Sequence, residues 1–346
     1  MMKRDEKGYL TYWNEEGKIR VFSGIQPTGE IHIGNYLGAI ANWVKFLDDY
    51  ECFFCIVDHH ATTVAYDPAE MPARVFDAAL ANMAAGLDPD KCTLFVQSEV
   101  PEHTELAWMF GTVTMFGDLA RMTQFKQKAR QQEENVNVGL FIYPVLQAAD
   151  ILLYKASAVP VGEDQVQHIE LAREIARSFN ARYGEVFPEC QAYVSEAKRI
   201  LGLDGENKMS KSLGNTIGIL ETPETIWKKL APAKTDERRK RKEDAGVPED
   251  CNIYMSYHRY FSPPEDLEWV KKGCTTAGIG CLDCKKRLLE NMDKVLAPIR
   301  KRAAKLKDHP EEVQAALTRG AQKARRVAAS VIAEAKAAMG LERVKR

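Results

Sequence analysis

Nowhere in the 346 residues is there an uncharged apolar run of 18 or more, which argues against a membrane-spanning helix. The first residues, MMKRDEKGYLTYW, lack the apolar stretch of a secretory signal. A cytoplasmic location is therefore expected, and with it a reducing medium in which structural disulfides are rare. The eight cysteines accordingly read as core residues or metal ligands. No internal repeat is present. Net charge is also nearly absent, at a formal −1, but the sum hides an asymmetry. From Lys285 to Arg346 there are 17 Lys and Arg against 7 Asp and Glu, and KTDERRKRK (234–242) adds a second basic run. Charge gathered at one end suits a polyanionic partner, although a solvated helix face has the same composition.

What the sequence does have is alternation. From about residue 18 to 200, short β-like runs (KIRVFSGI, CFFCIVD, TLFVQS, AVPVG) take turns with helical stretches. This pattern predicts an α/β fold with a parallel sheet. Ligands of such sheets bind beyond the carboxyl ends of the strands, and the turns there read GIQPTGEIHIGN, VDHHATT, QSEVPEH and VGEDQ. After about residue 220 the β signal disappears and helical patterns dominate. The expected division is an N-terminal extension (1–19), a sheet-based catalytic unit (20–207), a loop and linker (208–220) and an all-helical unit (221–346). Within the extension, Gly8 to Arg20 reads as a β-hairpin around NEEG.

Two segments carry chemistry. GEIHIGN (29–35) follows a strand and opens a helix, where glycines admit a close ligand and free N–H groups favour phosphate. Taken alone, it is also compatible with a helix cap and an incidental His32. KMSKS (208–212) places two lysines around hydroxyl side chains, which suits a clamp on polyphosphate. Some 175 residues separate the two.

HIGN resembles the HIGH signature of class I aminoacyl-tRNA synthetases, and KMSKS is their second signature. FSGIQPTGEIHIGNYLGA, VDHHA, FVQSEVPEH, LARMTQFKQK, YPVLQAADILLY and VPVGEDQVQHIELAREIARSFN together are similar to the bacterial tryptophanyl-tRNA synthetase family, densely over about residues 20–215. The resemblance implies a Rossmann-like catalytic domain and a helical domain that binds the tRNA anticodon. It implies activation of L-tryptophan by ATP, with Mg²⁺ on the phosphates, and transfer of tryptophan to tRNA(Trp). A homodimer is also implied, for which the apolar TVTMFGDLARMTQF is a candidate interface; core packing explains that segment equally well. On this basis Gln26, Pro27, Thr28, His32, Gly34, Asn35, Gly162, Glu163, Asp164 and Ile200 would hold ATP together with Lys208, Met209, Ser210, Lys211 and Ser212. His32, Asn35, Lys208 and Lys211 would carry the catalysis. Phe22, Gly24, His60, Tyr143, Gln147, Asp150, Val159, Val161 and Gln165 would form the tryptophan site. Several family members carry Met where Gln147 stands here, and a structural role suits His60 as well as a ligand contact. Asp150 is the expected selector, because indole has one donor and no acceptor and so requires a pure acceptor. The tyrosyl enzymes share these signatures and remain an alternative, as does an RNA-binding paralogue that no longer charges tRNA.

Cys52, Cys55, Cys92 and Cys190 lie in or beside apolar runs and read as core, with Cys52 and Cys55 on opposite faces of a strand. Cys251, Cys274, Cys281 and Cys284 follow C-x22-C-x6-C-x2-C. Four thiolates suit zinc or an iron–sulfur centre alike. Zinc ribbons show two CxxC pairs and this chain has one here, which tilts the reading towards a cluster, with free thiols as the remaining alternative. A subset of tryptophanyl-tRNA synthetases is similar in this region and carries a [4Fe–4S] cluster. One test follows from the lysines: Lys211→Ala is expected to slow adenylate formation about 100-fold while leaving tryptophan affinity nearly unchanged. Pre-steady-state kinetics with equilibrium tryptophan binding checks this, and equal loss in both refutes the assignment.

Overall fold

The computed structural model describes residues 1–125, 136–194, 200–210 and 213–343. Among these, β3 (Arg20–Ile25), β4 (Glu51–Ile56), β5 (Thr93–Val96), β6 (Ala158–Val161) and β7 (Gln191–Val194) form a parallel sheet of order β5-β4-β3-β6-β7. The chain builds outward from β3 on one side and then crosses to β6 on the other. Strand order therefore reverses between β3 and β6, which is where such sheets leave a crevice for a ligand.

Period-two alternation splits the strands between two cores. Val21, Cys52, Phe54, Ile56, Leu94 and Val96 face one side. Phe22, Phe53, Cys55, Val57, Phe95 and Val159 face the other, against the Val138–Leu152 and Val166–Tyr183 helices. Cys52 and Cys55 do fall on opposite faces. Burial pushes the Cys52, Cys92 and Cys190 thiols up to about 12 and Cys55 well above its ordinary value, so these four stay protonated.

The N-terminal hairpin pairs β1 (Met2–Arg4) with β2 (Leu10–Tyr12), turning through Asp5–Gly8. It lies one turn earlier than the NEEG segment. At NEEG, the Asn14 side chain accepts from the Glu16 and Lys18 amides, and a single bridge joins Trp13 to Ile19. The extension docks on the sheet: Ser157 Oγ accepts from the Tyr12 amide at 2.8 Å, and the Arg20 guanidinium lies over the Tyr12 ring.

Beyond residue 220 the described structure is helical, ending in two long helices, Cys281–Asp308 and Pro310–Ala338. The last one returns to the sheet. Its Val313 and Leu317 join the first core, and Ala321, Ala324, Ala328, Val331 and Ile332 join the second. It passes from one face to the other by crossing the edge strand β5 at Gly320, where an added Cβ would overlap the Leu94 carbonyl oxygen. Small residues let the helix lie this close, and the crossing covers a strand edge that would otherwise offer open hydrogen-bonding groups. Lys336 pairs with Glu105, and Lys155 with Glu334 at 2.6 Å, fastening the helix further along. Gly320→Ala is expected to cost about 3 kcal/mol through overpacking, read as a lowered denaturation midpoint; an unchanged midpoint would mean that the helix can lift off β5 without loss.

Candidate active site

The HIGN segment starts a helix just after β3. His32 caps it: the Asn35 amide donates to His32 Nδ1 at 3.3 Å, and the Asn35 side-chain oxygen accepts from the His32 amide at 3.2 Å. Because Nδ1 accepts, the ring proton is assigned to Nε2. Gly34 has a local reason: a Cβ there would come within 3.0 Å of the His32 ring. Ile33–Asn35 runs straight into a π-helical turn, Tyr36–Ile40, a feature frequent beside functional sites.

The second motif lies against the first. The Ile33 amide donates to Ile217 O, the Ile219 amide donates to Ile31 O, and His32 bridges Gly218. Met209 of KMSKS sits beside Gly34, its Cβ 3.5 Å from where a Gly34 side chain would begin. The base of the loop pairs Leu201 with Lys208, and the Met209 amide with Ile200 O. Lys208 reaches Asp164 at 3.8 Å, a distance at which an exposed pair contributes little. Gly162, Glu163 and Asp164 are exposed at the end of β6, and a Gly162 Cβ would meet the Asp164 carboxylate. Gln26 and Thr28 are exposed in the turn after β3, with Pro27 buried between them. Lys211 and Ser212 lie outside the described residues.

Sequence reasoning did not single out what fastens this loop. Buried Asn215 accepts from the Ser210 amide at 2.7 Å and donates to Asp204 at 2.9 Å. Partial burial pushes the Asp204 carboxyl up, but donors from Asn215, Glu206 and Asn207 outweigh this and hold it at about 2. The sequence signal was the LGN that follows KMSKS.

On the other face of the sheet, Tyr143, Gln147 and Asp150 share one side of the Val138–Leu152 helix at i, i+4 and i+7. Asp150 is 1 % exposed. Its Oδ2 accepts from His60 Nε2 at 2.8 Å, and its Oδ1 accepts from Gln97 Nε2 at 2.7 Å and His103 Nδ1 at 2.6 Å. Burial alone would drive its carboxyl up; hydrogen bonds and charge from His103 and His60 reverse that and hold it well below the usual range. The group is an ionised acceptor inside the protein, and buried charge persists only when satisfied in this way. The Tyr143 hydroxyl meets His168 Nε2 at 2.8 Å, its ring stands edge-on to His60, and burial pushes it up to about 12. Phe22 stacks on Tyr154, 5.7 Å between centroids. Val159 is buried beside them and Val161 half-buried. Gly24 packs against Val57, which leaves no room there for a side chain. Gln165 donates to Asp164 rather than to anything near Tyr143. Gln97, His103, Tyr154 and His168 were missed as individuals, although QSEVPEH was among the segments expected to hold chemistry.

The four remaining cysteines come from three places: Cys251 before a π-helical turn, Cys274 near the end of Pro264–Thr275, and Cys281 and Cys284 in the first turn of the Cys281–Asp308 helix. All four line one small cavity with Arg239, Ile253, Val270 and Ile279. Among the described residues, no three His, Cys, Asp or Glu side chains close tightly enough around one point to hold a single metal ion. Arg239 donates to Cys274 Sγ at 3.8 Å, and His258 Nε2 lies 3.3 Å from Cys284 Sγ. Burial pushes Cys284 up to about 12, followed by the charge of the other three cysteines. Much of the basic run is engaged internally: Lys234 pairs with Glu206 and Glu237, Arg238 with Asp236 and Asp250, and Arg239 donates to the Ile279 carbonyl.

Asn215→Ala is expected to lose about 1–2 kcal/mol through unpaired partners and to speed proteolytic cleavage within 208–215. Unchanged cleavage would mean that other contacts hold the loop.

A family model described as tRNA synthetases class I (W and Y) matches residues 14–297. A tryptophan–tRNA ligase from Deinococcus radiodurans is 55% identical over 326 residues, spanning 93% of this chain and 98% of that protein. One from Thermotoga maritima is 45% identical over 327 residues, spanning 93% and 99%. The crystal structure of tryptophanyl-tRNA synthetase from Campylobacter jejuni, complexed with ADP and tryptophan, superposes with a TM-score of 0.84 at 35% identity, covering 93% of this chain and all of that one. With the two signatures side by side at the β3/β6 crevice and these relatives along nearly the whole chain, the protein belongs to the bacterial tryptophanyl-tRNA synthetases of class I.

Proposed function

We propose that this chain joins L-tryptophan to tRNA(Trp) at the expense of ATP. The observation that carries the reading is the contact between HIGN and the KMSKS loop at the strand-order reversal. In the first step a tryptophan carboxylate oxygen attacks the α-phosphorus. The bond from that phosphorus to the bridging oxygen breaks, and pyrophosphate leaves with the electron pair. In the second, the 2′-hydroxyl of the terminal adenosine attacks the acyl carbon and AMP departs, with the hydroxyl proton passing to the medium. No enzyme nucleophile takes part, so the protein acts by positioning and by stabilising charge on the phosphates.

Mg²⁺ enters with the ATP phosphates. The His32 Nε2–H and the helix start at Ile33–Asn35 favour phosphate; Gln26, Pro27, Thr28, Gly162, Glu163, Asp164, Ile200, Met209 and Ser210 surround the nucleotide, with Ser212 at the end of the loop. Lys208 and Lys211 follow charge onto the departing pyrophosphate. Asp150 accepts the indole N–H at the end of a pocket lined by Phe22, Gly24, Val159 and Val161. His60 and Gln147 border it, and Tyr143 and Gln165 attend the amino-acid end.

The division of labour follows the chain: 20–207 for activation, 208–220 for the clamp, and 221–346 for tRNA, with 1–19 as an extension. Cys251, Cys274, Cys281 and Cys284 would hold a [4Fe–4S] cluster. All four line one cavity, and the single CxxC pair among them suits a cluster better than a zinc ribbon. The cluster would cross-link three segments of the helical region, and aminoacylation has no electron-transfer step for it to serve. Exposed Met115, Phe116 and Val138, joined through the contact of Phe116 with Phe141, support a homodimer contact on that face. The expected place of action is the cytoplasm, and no helix among the described residues is long and apolar enough to cross a membrane.

ATP–pyrophosphate exchange driven by tryptophan and not by tyrosine is the expected result, and equal exchange with tyrosine overturns the assignment. Asp150→Asn should lower kcat/KM for tryptophan by roughly two orders of magnitude or more with KM for ATP preserved. Iron and inorganic sulfide analysis of protein purified without oxygen tests the cluster; stoichiometric zinc without iron refutes it.

A further inference from the structure

Asp150 offers a countable number of acceptor positions. A carboxylate has about four lone-pair sites, two on each oxygen. On Oδ1, Gln97 and His103 take both; on Oδ2, His60 takes one. Among the described residues, one position remains, on Oδ2. Gln97 Nε2, His60 Nε2 and His103 Nδ1 each direct a donor at this one carboxylate.

His103 differs from the other two partners. It is fully buried, and its second nitrogen, Nε2, lies 2.8 Å from the Tyr154 hydroxyl. The ionised carboxylate can only accept, so Nδ1 carries a proton; in the neutral ring Nε2 then accepts from Tyr154. Tyr154 is itself held between Phe22, stacked at 5.7 Å, and Phe53, stacked at 4.6 Å, with Phe95 against its edge. The chain of contacts runs from rigid strand aromatics through a phenol and an imidazole to one carboxylate oxygen. His60, by comparison, sits in a short turn at Asp58–Ala61 that also faces Tyr143.

We propose that His103, oriented by Tyr154, is a positioning residue for amino-acid selection: it fixes the Asp150 carboxylate and occupies Oδ1, so that a single acceptor on Oδ2 is left for a ligand with one donor. This rests on Asp150 being the indole acceptor. The arrangement explains discrimination by hydrogen-bond count. A ligand N–H completes the carboxylate, whereas a ligand that brings only an acceptor to this position meets an anion with no proton to offer, and an unpaired buried group is costly.

The test compares His103→Asn, which keeps a donor near the Nδ1 position, with His103→Gln and His103→Ala, which do not, in tryptophan-dependent pyrophosphate exchange on the full-length protein. Alanine and glutamine variants are expected to raise KM for tryptophan about tenfold with KM for ATP within about twofold, and asparagine to recover most of the loss. A second readout separates positioning from mere packing. Asp150 must be ionised to accept, and His103 is among the groups that hold its pKa down against burial; His60 and the protonated Cys55 thiol also face it. Losing the donor raises that pKa, so the acid limb of kcat/KM for tryptophan moves to higher pH in the alanine variant and returns with asparagine. Tyr154→Phe, which keeps the aromatic stack, covers the case in which His103→Ala fails to fold; it should shift both readouts in the same direction by less. If Asp150→Asn abolishes tryptophan selection while His103→Ala and Tyr154→Phe keep wild-type KM and pH profile, the positioning role is overturned alone. If Asp150→Asn retains selection, the acceptor reading falls and takes the positioning role with it.

Discussion

A negative charge sealed inside the protein is the constraint around which the catalytic half is arranged. Asp150 is buried and ionised, and three donors from three segments converge on it: His60 from the turn after β4, Gln97 from the end of β5, and His103 from the helix that follows. Leaving one of these out would leave a desolvated charge short of a donor, at a cost of about 1–3 kcal/mol against a net stability of roughly 5–15 kcal/mol for an ordinary domain. The carboxylate therefore dictates where β4, β5 and the Val138–Leu152 helix must end relative to one another. On the proposed reading of Asp150, selecting the amino acid and holding the sheet together are, at this point, one structural problem.

The nucleotide side obeys a different rule. There Gln26, Thr28, Gly162, Glu163, Asp164 and Lys208 are exposed, as suits groups proposed to meet a triphosphate. What is rigid is the frame: the His32–Asn35 cap, the pairing of 31–33 with 217–219, and Asn215 under the loop. Lys208, exposed above this fixed frame, can reach changing positions while the loop base keeps its register on the helix start.

Much of this could be read from the sequence because the relevant patterns are local. Four of the five sheet strands appeared as β-branched and aromatic runs, and the motifs fell where parallel sheets place their ligands. β7 did not appear, because QAYV is an edge strand with half-exposed residues and neither alternation nor a continuous apolar run. Asp150 stood out as an acid among apolar neighbours. His103 and Gln97 did not, since the reason for them is a carboxylate about 50 residues away, and nothing in QSEVPEH says which polar residue turns inward. For the basic run at 234–242, composition left a polyanion surface and a solvated face equally open; in the fold Lys234, Arg238 and Arg239 meet carboxylates, carbonyls and a cysteine of the same chain.

The crossing at Gly320 bears on the order in which the protein can be assembled. Leu94 of the edge strand waits for a partner some 225 residues later in the chain. At 5–20 residues per second, roughly 10–45 s pass during synthesis between the two. For that interval the nascent sheet carries an uncovered edge and two half-built cores, the state most prone to pairing with a neighbour on the same message. Cellular chaperones would meet the chain at that edge, and the closing of the last helix over it would mark the moment at which the polypeptide no longer needs them.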